Sequence, residues 1–356
     1  MITKTEKIKY LDTVGFGADI GGRGFHLPVD ISVRADGRVY VINRSPMHRL
    51  GIRVGICDLL HGWYGEFGSD GKADGQFTGP AAITHDSNDR IYVADEELNR
   101  ITVFNADGEF ESKWGELGTE PGQINGPSAL KVTSDGNLLL VDHLNNRIQK
   151  MTLDGQYLSH WGSKGIAEGQ FNLPWGIDTD NDENVYVADW RNDRIQRFSE
   201  DGKFIGTQIM NEAMLERFAI TMQQEYPPVK TERCILSKEM ALTGDVDQDG
   251  FIYVANWGNQ RVQVFDHQWN FHASLRGQAT VSPWAQEYLE ANADELDARS
   301  RFDPYIEVDT DDEHEISARV EAYFWDPIAV EIDPEGRLVV ADSLRHRLQI
   351  YQRLDD

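Results

Sequence analysis

The sequence predicts an all-β fold, a six-bladed β-propeller of four-stranded antiparallel blades. Three observations predict it: a repeated unit, alternating apolar residues within the unit, and Asp-Gly or similar turn pairs between its strands. The prolines that open three successive units, Pro80, Pro127 and Pro174, lie 47 residues apart. A chain of 356 residues holds six such units and two insertions, and six four-stranded units close into a ring around an axis.

The unit is clearest over residues 172–207. Alternation of apolar and polar residues predicts four strands there, with turns at Asp180–Asn184 and at Asp201-Gly202. The predicted strands are Pro174–Thr179, Val185–Asp189, Arg194–Phe198 and Phe204–Thr207. One unit cannot bury its inner face alone, so the ring is predicted to fold as one cooperative domain.

The second strand of every unit ends in Asp or Asn. These strands are Val39–Asn43, Ile91–Asp95, Leu138–Asp142, Val185–Asp189, Ile252–Asn256 and Leu338–Asp342. An arginine follows five positions later in five units, as Arg100, Arg147, Arg194, Arg261 and Arg347. In the first unit we assign it one position further on, to Arg49. A strand-end carboxylate accepts hydrogen bonds from loop backbone and an arginine reaches it with a bidentate fork, so a structural role is predicted for these charges.

The repeated motifs resemble those of the NHL repeat family. They are an entry Pro, Tyr-Val-Ala-Asp, Asn-x-Arg-Ile-Gln and a Trp-Gly/Gly-Gln-Phe crossing between blades, matched best over Pro127–Phe204. The resemblance covers nearly the whole chain apart from the two insertions. It implies a six-bladed propeller and leaves the function open, because propellers host unrelated chemistries.

We predict one domain over residues 1–356 with two mostly helical insertions. The first insertion, residues 208–239, follows blade four, and the second, residues 278–323, follows blade five. Ser282, followed by proline, predicts the start of a helix in the second insertion. The last repeat ends without a fourth strand, so Tyr10–Val14 is expected to complete blade six and close the ring.

Strand polarity places the loops. In a four-stranded meander, the connection between strands two and three and the crossing to the next blade lie on one face, and the two hairpins lie on the other. Both insertions are crossings, so both are expected on the face of the short loops, as a lid over the central mouth. The alternative is that they pack on the blades or form an oligomer contact. Concave mouths under movable covers are common sites for small ligands.

The loops on this face carry the candidate site. Arg44 directly follows Asn43 and is not the repeat arginine, so it is predicted to hold a carboxylate or phosphate. His143 and His26 are the predicted proton-transfer residues, because imidazole titrates near neutral pH. Substrate contacts are assigned to six further residues near the mouth: Trp190, Arg191, Trp257, Glu96, His48 and His346.

No cofactor is assigned from the sequence. The chain distantly resembles the propeller lyases that act on peptidyl-hydroxyglycine, whose zinc histidines stand just after the entry Pro or its equivalent. The corresponding positions here contain no histidine and are Asp30, Ala82, Ala129, Gly176, Thr243 and Ala329. An axial zinc is therefore not expected. Asp245–Gly250 resembles the start of an EF-hand loop, but its twelfth position is Asn256 instead of Glu, which disfavours structural calcium.

The charge and the termini bound the partners and the location. The chain has 60 acidic and 34 basic residues and a formal net charge of −26, which disfavours nucleic acid and anionic membrane as partners. The first ten residues contain no apolar signal segment, and no stretch is long enough to span a membrane, so a cytoplasmic location is expected. The two cysteines, Cys57 and Cys234, are too few for a disulfide framework.

Two functions are compatible with these features. The first is a small-molecule enzyme or ligand-binding propeller, lyase-like or hydrolase-like, whose polar or anionic substrate binds at a lidded mouth of the central channel. The alternative is an interaction scaffold that binds a protein or peptide on the same face, with Trp190 and Trp257 as exposed anchors. A deep pocket in which Arg44 and His143 converge supports the first, and outward tryptophans support the second.

Overall fold

Six four-stranded antiparallel sheets form a ring and confirm the predicted propeller. The structure is a computed structural model, and it describes residues 7–45, 49–209, 244–246, 250–301, 309–310 and 312–354. Within each of blades one to five the strands pair in chain order, so each sheet is a simple meander.

The first strand of the chain, β1 (Ile8–Val14), belongs to blade six. Blades one and two consist of β2 (Pro28–Val33), β3 (Arg38–Asn43), β4 (Arg53–Asp58), β5 (Trp63–Phe67), β6 (Pro80–His85), β7 (Ile91–Asp95), β8 (Arg100–Phe104) and β9 (Phe110–Trp114). Blades three and four consist of β10 (Pro127–Val132), β11 (Asn137–Asp142), β12 (Arg147–Thr152), β13 (Tyr157–Trp161), β14 (Ile177–Thr179), β15 (Val185–Asp189), β16 (Arg194–Phe198) and β17 (Phe204–Ile209). Blades five and six consist of β18 (Gly244–Val246), β19 (Ile252–Asn256), β20 (Arg261–Phe265), β21 (Phe271–Leu275), β22 (Pro327–Ile332), β23 (Arg337–Asp342) and β24 (Arg347–Arg353), together with β1.

The N-terminal strand closes the ring as predicted. β1 pairs antiparallel with β24, from Ile8 opposite Arg353 to Val14 opposite Leu348, with a bulge between Tyr10 and Asp12. Blade six is thereby assembled from both ends of the described chain, and β1 covers the edge that β24 would otherwise expose.

The apolar core lies between the blades. Six clusters of buried side chains are found among the described residues, one at each contact between neighbouring blades. At the contact between blades one and two, for example, Tyr40 and Val54 pack in the same cluster as Ile83 and Phe104. Each blade therefore buries its two faces only when both neighbours are in place, which makes the ring cooperative.

Four of the described blade entries are held by two side-chain acceptors. In five blades the strand-end Asp or Asn accepts, at 2.7 Å, the backbone N–H two residues before the entry Pro. These pairs are His26–Asn43, Thr78–Asp95, Asn125–Asp142, Asn172–Asp189 and Trp325–Asp342. A residue of left-handed conformation in the preceding blade accepts the next N–H, in the pairs Gly126–Asn99, Leu173–Asn146, Asp326–Gln260 and Leu27–His346. These bonds satisfy buried backbone groups and couple successive blades.

The predicted structural role of the repeat arginines is confirmed in three blades, and one assignment is wrong. Nε of Arg147, Arg194 and Arg347 lies 2.6–2.8 Å from the strand-end carboxylate of its own blade. In blade one, the residue opposite Asn43 is Arg53, not Arg49. Arg53 donates to the backbone oxygens of residues 18, 24 and 51. The connection before it is five residues longer than in the other blades, and this insertion displaced the sequence assignment.

The described residues of the second insertion form three short helices, α1 (Pro283–Ala291), α2 (Ala293–Ser300) and α3 (Glu313–Arg319). The Ser282 hydroxyl caps α1 by accepting the N–H of Ala285 at 3.1 Å, as predicted. α1 ends at Ala291, and after Asn292 a second helix, α2, begins at Ala293. Among the described residues no helix is long and apolar enough to cross a membrane. The first insertion, apart from residues 208 and 209 in β17, lies outside the described residues.

The α1 helix does not cover the mouth, which corrects the predicted lid. Trp284 is 1% exposed and packs 5.9 Å from the rings of Phe25 and Trp63. Its Nε1 donates to the backbone oxygen of His61, 2.8 Å away, in the hairpin between β4 and β5. That hairpin lies at the end of the ring opposite the mouth. α1 therefore crosses the outer wall between blades six and one, because burial of a large apolar ring outweighs exposure over the mouth.

The α3 helix lies on the loop face, above blades five and six. Arg345 donates to the backbone oxygens of Ser317 (2.9 Å) and Val320 (3.2 Å) at the C-terminal end of α3. At the other end of the helix, Glu313 forms an ion pair with Arg261 at 3.3 Å. α3 is therefore the part of the predicted lid that lies next to the loops of the mouth.

Candidate functional site at the mouth of the ring

The predicted site residues lie on connections at one end of the ring. In four blades the chain forms a single turn of 3-10 helix directly after the strand-end Asp or Asn: His143–Asn145, Trp190–Asn192, Trp257–Asn259 and Ser343–Arg345. In blades one, two and six, the backbone N–H of Arg44, Glu96 and Ser343 bonds to the oxygen of the residue before the entry Pro. In these three blades the first residue of the connection is thus held next to the entry into the innermost strand.

Arg44 and Glu96 join blades one and two at the mouth. The guanidinium of Arg44 forms an ion pair with the Glu96 carboxylate, and both side chains are about three-quarters buried. The sequence assigned Arg44 to an external anion and Glu96 to substrate binding without connecting the two. The structure shows that they lie in contact.

His143 is held as a neutral imidazole with one defined tautomer. Its Nδ1 lies 2.9 Å from the backbone oxygen of Pro174, which only accepts, so Nδ1 carries the proton and Nε2 carries the lone pair. The residue is 7% exposed, and burial lowers the pKa of the imidazole below its ordinary value of 6.5. Glu96 opposes that shift and Arg191 adds to it, so both charges act on this ring.

Two tryptophans enclose His143. Its ring lies 5.1 Å from the Trp175 ring at an interplanar angle of 86° and 5.9 Å from the Trp190 ring at 30°. The Arg191 guanidinium lies 4.7 Å above the Trp190 ring. A histidine, two aromatic walls, two arginines and the Glu96 carboxylate are therefore assembled from four blades.

Sequence analysis did not select Trp175. Its signal is positional: it directly follows an entry Pro, where the other described blades have small or aliphatic residues. Those residues are Val29, Ala81, Ser128 and Ile328. A comparison of equivalent positions across the repeats finds this tryptophan without coordinates.

His26 and His346 lie together at the seam between blades six and one. Their rings stack with centroids 5.4 Å apart and planes 22° apart. Nδ1 of His26 lies 2.9 Å from the Asp19 carboxylate, and Nδ1 of His346 accepts the N–H of Leu27 at 2.9 Å. Burial lowers the pKa of His346. These two residues form a second group of side chains at the seam between blades six and one, whereas His143 bonds to the entry of blade four.

The tryptophans predicted as exposed are buried. Trp190 is 4% exposed and Trp257 is 8% exposed. Trp190 packs against the blade-four entry, and Trp257 accepts through its backbone oxygen from Gln260 at 2.7 Å. The 3-10 turn folds these large side chains inward because their apolar rings find buried neighbours there. His48 lies outside the described residues.

A cavity of about 310 Å³ occupies the ring axis. Trp175 lines it and also contacts His143, so the cavity and the mouth share one wall. Eight polar side chains of the innermost strands line the cavity, and none was selected as a site residue by the sequence analysis: Asp30, Ser32, Thr84, His85, Ser128, Lys131, Asp178 and Glu331. They stand within five residues after the entry Pro, which is the sequence signal that marks them. Among the described residues, no three His, Cys, Asp or Glu side chains are placed to hold one metal ion.

Comparison with known proteins supports the repeat and the architecture. The NHL repeat family matches residues 171–198 and 245–265, in blades four and five, which confirms the resemblance predicted from the motifs. No curated protein matches the sequence.

Several solved propellers match along their whole length. A streptogramin B lyase is 14% identical with a TM-score of 0.52, and the match covers 98% of both chains. The virginiamycin B lyase from Staphylococcus aureus is 14% identical with a TM-score of 0.52, covering 98% of this chain and 100% of the other. A catalytically inactive variant of that lyase with quinupristin is 11% identical with a TM-score of 0.54 and the same coverage. At such identities the similarity establishes the fold.

Proposed function

We propose that this propeller is a lyase-type enzyme that binds a small polar or anionic molecule at the mouth, in contact with the His143 cluster. This cluster is defined as His143, Arg44, Glu96, Arg191 and Trp190. The observation that carries the proposal is the state of His143, a neutral imidazole whose tautomer is set by a bond to the protein backbone.

Such an imidazole suits a general base. Nε2 takes a proton from the substrate, and the resulting imidazolium returns a proton to the leaving group, so the residue is restored in each cycle. In a lyase reaction the carbon that lost the proton forms a double bond as the leaving group departs, and no water is consumed. The low pKa of His143 keeps the base unprotonated at neutral pH.

The charges around His143 suit an anion or a carbonyl that becomes negative. The cluster contains two guanidinium groups, that of Arg44, which is paired with Glu96, and that of Arg191, in a chain of formal net charge −26. Arginine recognises carboxylates through paired N–H donors. Negative charge that develops at a substrate oxygen is stabilised by the same groups.

The solved neighbours support a lyase reaction as the first to test. All three are named as lyases, and one of them was solved with quinupristin. The scaffold alternative depended on Trp190 and Trp257 as surface anchors, and their burial removes that support.

The test is a reaction screen with product masses. Quinupristin, virginiamycin B and a panel of small hydroxy and acyloxy carboxylates are incubated with the protein and analysed by mass spectrometry. A lyase gives products whose masses sum to that of the substrate, whereas a hydrolase adds one water. His143→Gln keeps a donor toward the Pro174 oxygen and removes the base, so kcat is expected to fall roughly 100-fold or more.

The matched control is His160→Gln. His160 is exposed on β13 and bonds to Tyr157, away from the mouth. Equal activity of the wild type and the His143 variant, or products that contain an added water, would contradict the proposal.

A further inference from the structure

The ring axis contains one carboxylate at a level where the other described blades have only small residues. Two residues after the entry Pro, blade one has Asp30, while four other blades have Ala82, Ala129, Gly176 and Ala329. The small residues leave room at the axis, and Asp30 and Ala129 line the cavity of about 310 Å³. That volume lies at the lower end of the range for small-molecule sites.

Asp30 is hydrogen-bonded but has no cationic partner within the described part of the chain. Its Oδ2 accepts the backbone N–H of Ile83 at 2.8 Å. Other charged side chains that line the cavity have partners in the protein. Lys131 forms an ion pair with Asp178, and Glu331 accepts the N–H of Val33 at 3.0 Å. Burial raises the pKa of Asp30 from 3.8 to about 7. A cation bound beside Asp30 relieves the cost of burying its charge.

The cavity around this carboxylate has apolar and aromatic side chains among its polar ones. The apolar ones come from at least four blades and include Ile31, Ile83, Leu130, Ile177 and Trp175. A metal ion needs several oxygen or nitrogen ligands, and among the described residues no three His, Cys, Asp or Glu side chains are placed to hold one. An organic cation needs one charged contact and buries an apolar body against such walls. A tryptophan face also attracts cations.

We propose that the axial cavity binds a small primary ammonium ion, with its charged group on the Asp30 carboxylate and its apolar body against the aliphatic and Trp175 walls. This site is separate from the His143 cluster and does not depend on the function proposed for it. Lys131, Asp178, Glu331 and His85 also face the cavity, so the part of any pH effect that belongs to Asp30 is isolated by substituting Asp30 alone.

The experiment is titration calorimetry of the full chain with benzylamine, supported by thermal unfolding. Benzyl alcohol and benzoate are the neutral and anionic controls of the same size. We expect binding of benzylamine only, with affinity at least tenfold higher at pH 8 than at pH 5.5, because the carboxylate must ionise to bind the cation. Asp30→Asn keeps the acceptor for the Ile83 N–H and is expected to weaken binding at least tenfold and to remove most of this pH dependence.

Two further variants separate charge from space. Ala81→Leu fills the cavity without changing its charge and is expected to abolish binding. Asp107→Asn removes an exposed carboxylate and is expected to change nothing. The proposal is overturned if the wild type fails to bind benzylamine at pH 8, if the alcohol binds equally well, or if Asp30→Asn binds as tightly as the wild type.

Discussion

Nδ1 of His346 accepts the backbone N–H of Leu27 across the seam where blade six meets blade one, at 2.9 Å. In three other blades the equivalent acceptor is an amide oxygen, of Asn99, Asn146 or Gln260. His346 is therefore the titratable member of an otherwise neutral set. It lies in blade six, where β1 closes the ring. Protonation of its Nδ1 therefore removes a hydrogen bond between blades six and one.

Acid is predicted to weaken this seam. Burial and the neighbouring His26 lower the pKa of His346 from 6.5, so the unfolded chain takes up a proton at a higher pH than the folded chain. Its contribution to stability is complete above pH 6.5 and is lost as the pH falls toward the folded pKa. His346→Asn keeps an acceptor and the left-handed conformation, so this part of the pH dependence should disappear.

The measurement is urea denaturation of the wild type and His346→Asn between pH 5 and 8. We expect the wild type to lose about 1 kcal/mol more than the variant over this range. His143 and His85 also have lowered pKa values and are present in both proteins, so the difference between the curves reports on His346. Parallel curves contradict the prediction.

Asp30 is predicted to lower the stability of the folded chain as the pH rises, whereas His346 lowers it as the pH falls. The folded pKa of Asp30, about 7, lies above the ordinary 3.8, so the folded chain retains a proton that the unfolded chain releases as the pH rises between these values. The resulting penalty is complete above about pH 7 and absent below pH 3.8. Asp30→Asn is therefore expected to be more stable than the wild type at pH 8, by up to about 4 kcal/mol.

Thermal and urea unfolding at pH 8 and pH 4.5 measure this effect. The gain from Asp30→Asn should be largest at pH 8 and small at pH 4.5. If Asp30→Asn is less stable than the wild type at pH 8, or is equally affected at both pH values, then the ionised Asp30 carboxylate does not lower the free energy of unfolding and the prediction is wrong.

Trp284 is predicted to clamp the outer wall at the seam. It is 1% exposed and is inserted between blades six and one, so Trp284→Ala should lower the free energy of unfolding by about 3–5 kcal/mol. Leu296→Ala, on the neighbouring helix and 40% exposed, is the control and should change it by no more than about 0.5 kcal/mol. If the two variants have the same free energy of unfolding in guanidinium, burial of Trp284 does not stabilise the contact between blades six and one, and the prediction is wrong.

Removal of residues 1–14 should destabilise the whole ring. The deletion exposes the edge of β24 and removes the buried Ile8 and Val14, whose burial alone contributes roughly 3 kcal/mol or more. We expect one cooperative transition at lower urea, restored in part by a peptide spanning residues 7–14. Leu11→Ala, which alters an exposed side chain of β1, serves as the control. An unchanged transition after the deletion would show that blade six is stable with three strands.

Much of the fold was readable from local patterns. Alternating residues and turn pairs gave the blades, and the absence of a fourth strand after Tyr351 indicated closure by β1, as found. The candidate site was predicted less completely. His143 and Glu96 were selected, but their contacts were not, and Trp175 and Asp30 were not chosen as site residues, because each is conspicuous only when equivalent positions of separate repeats are compared.

The sequence by itself determined the number of blades, the bounds of the second and third strands in the clearest unit, the strand-end carboxylates and the face on which the short loops lie. These depend on residues close together in the chain, where periodicity and turn chemistry act directly. The tertiary structure decided that Arg44 meets Glu96, that Trp190 and Trp257 turn inward, that α1 lies on the outer wall and that Asp30 lies in the axial cavity without a cationic partner among the described residues. Those outcomes depend on distances and burial between residues of different blades, and a linear pattern contains neither.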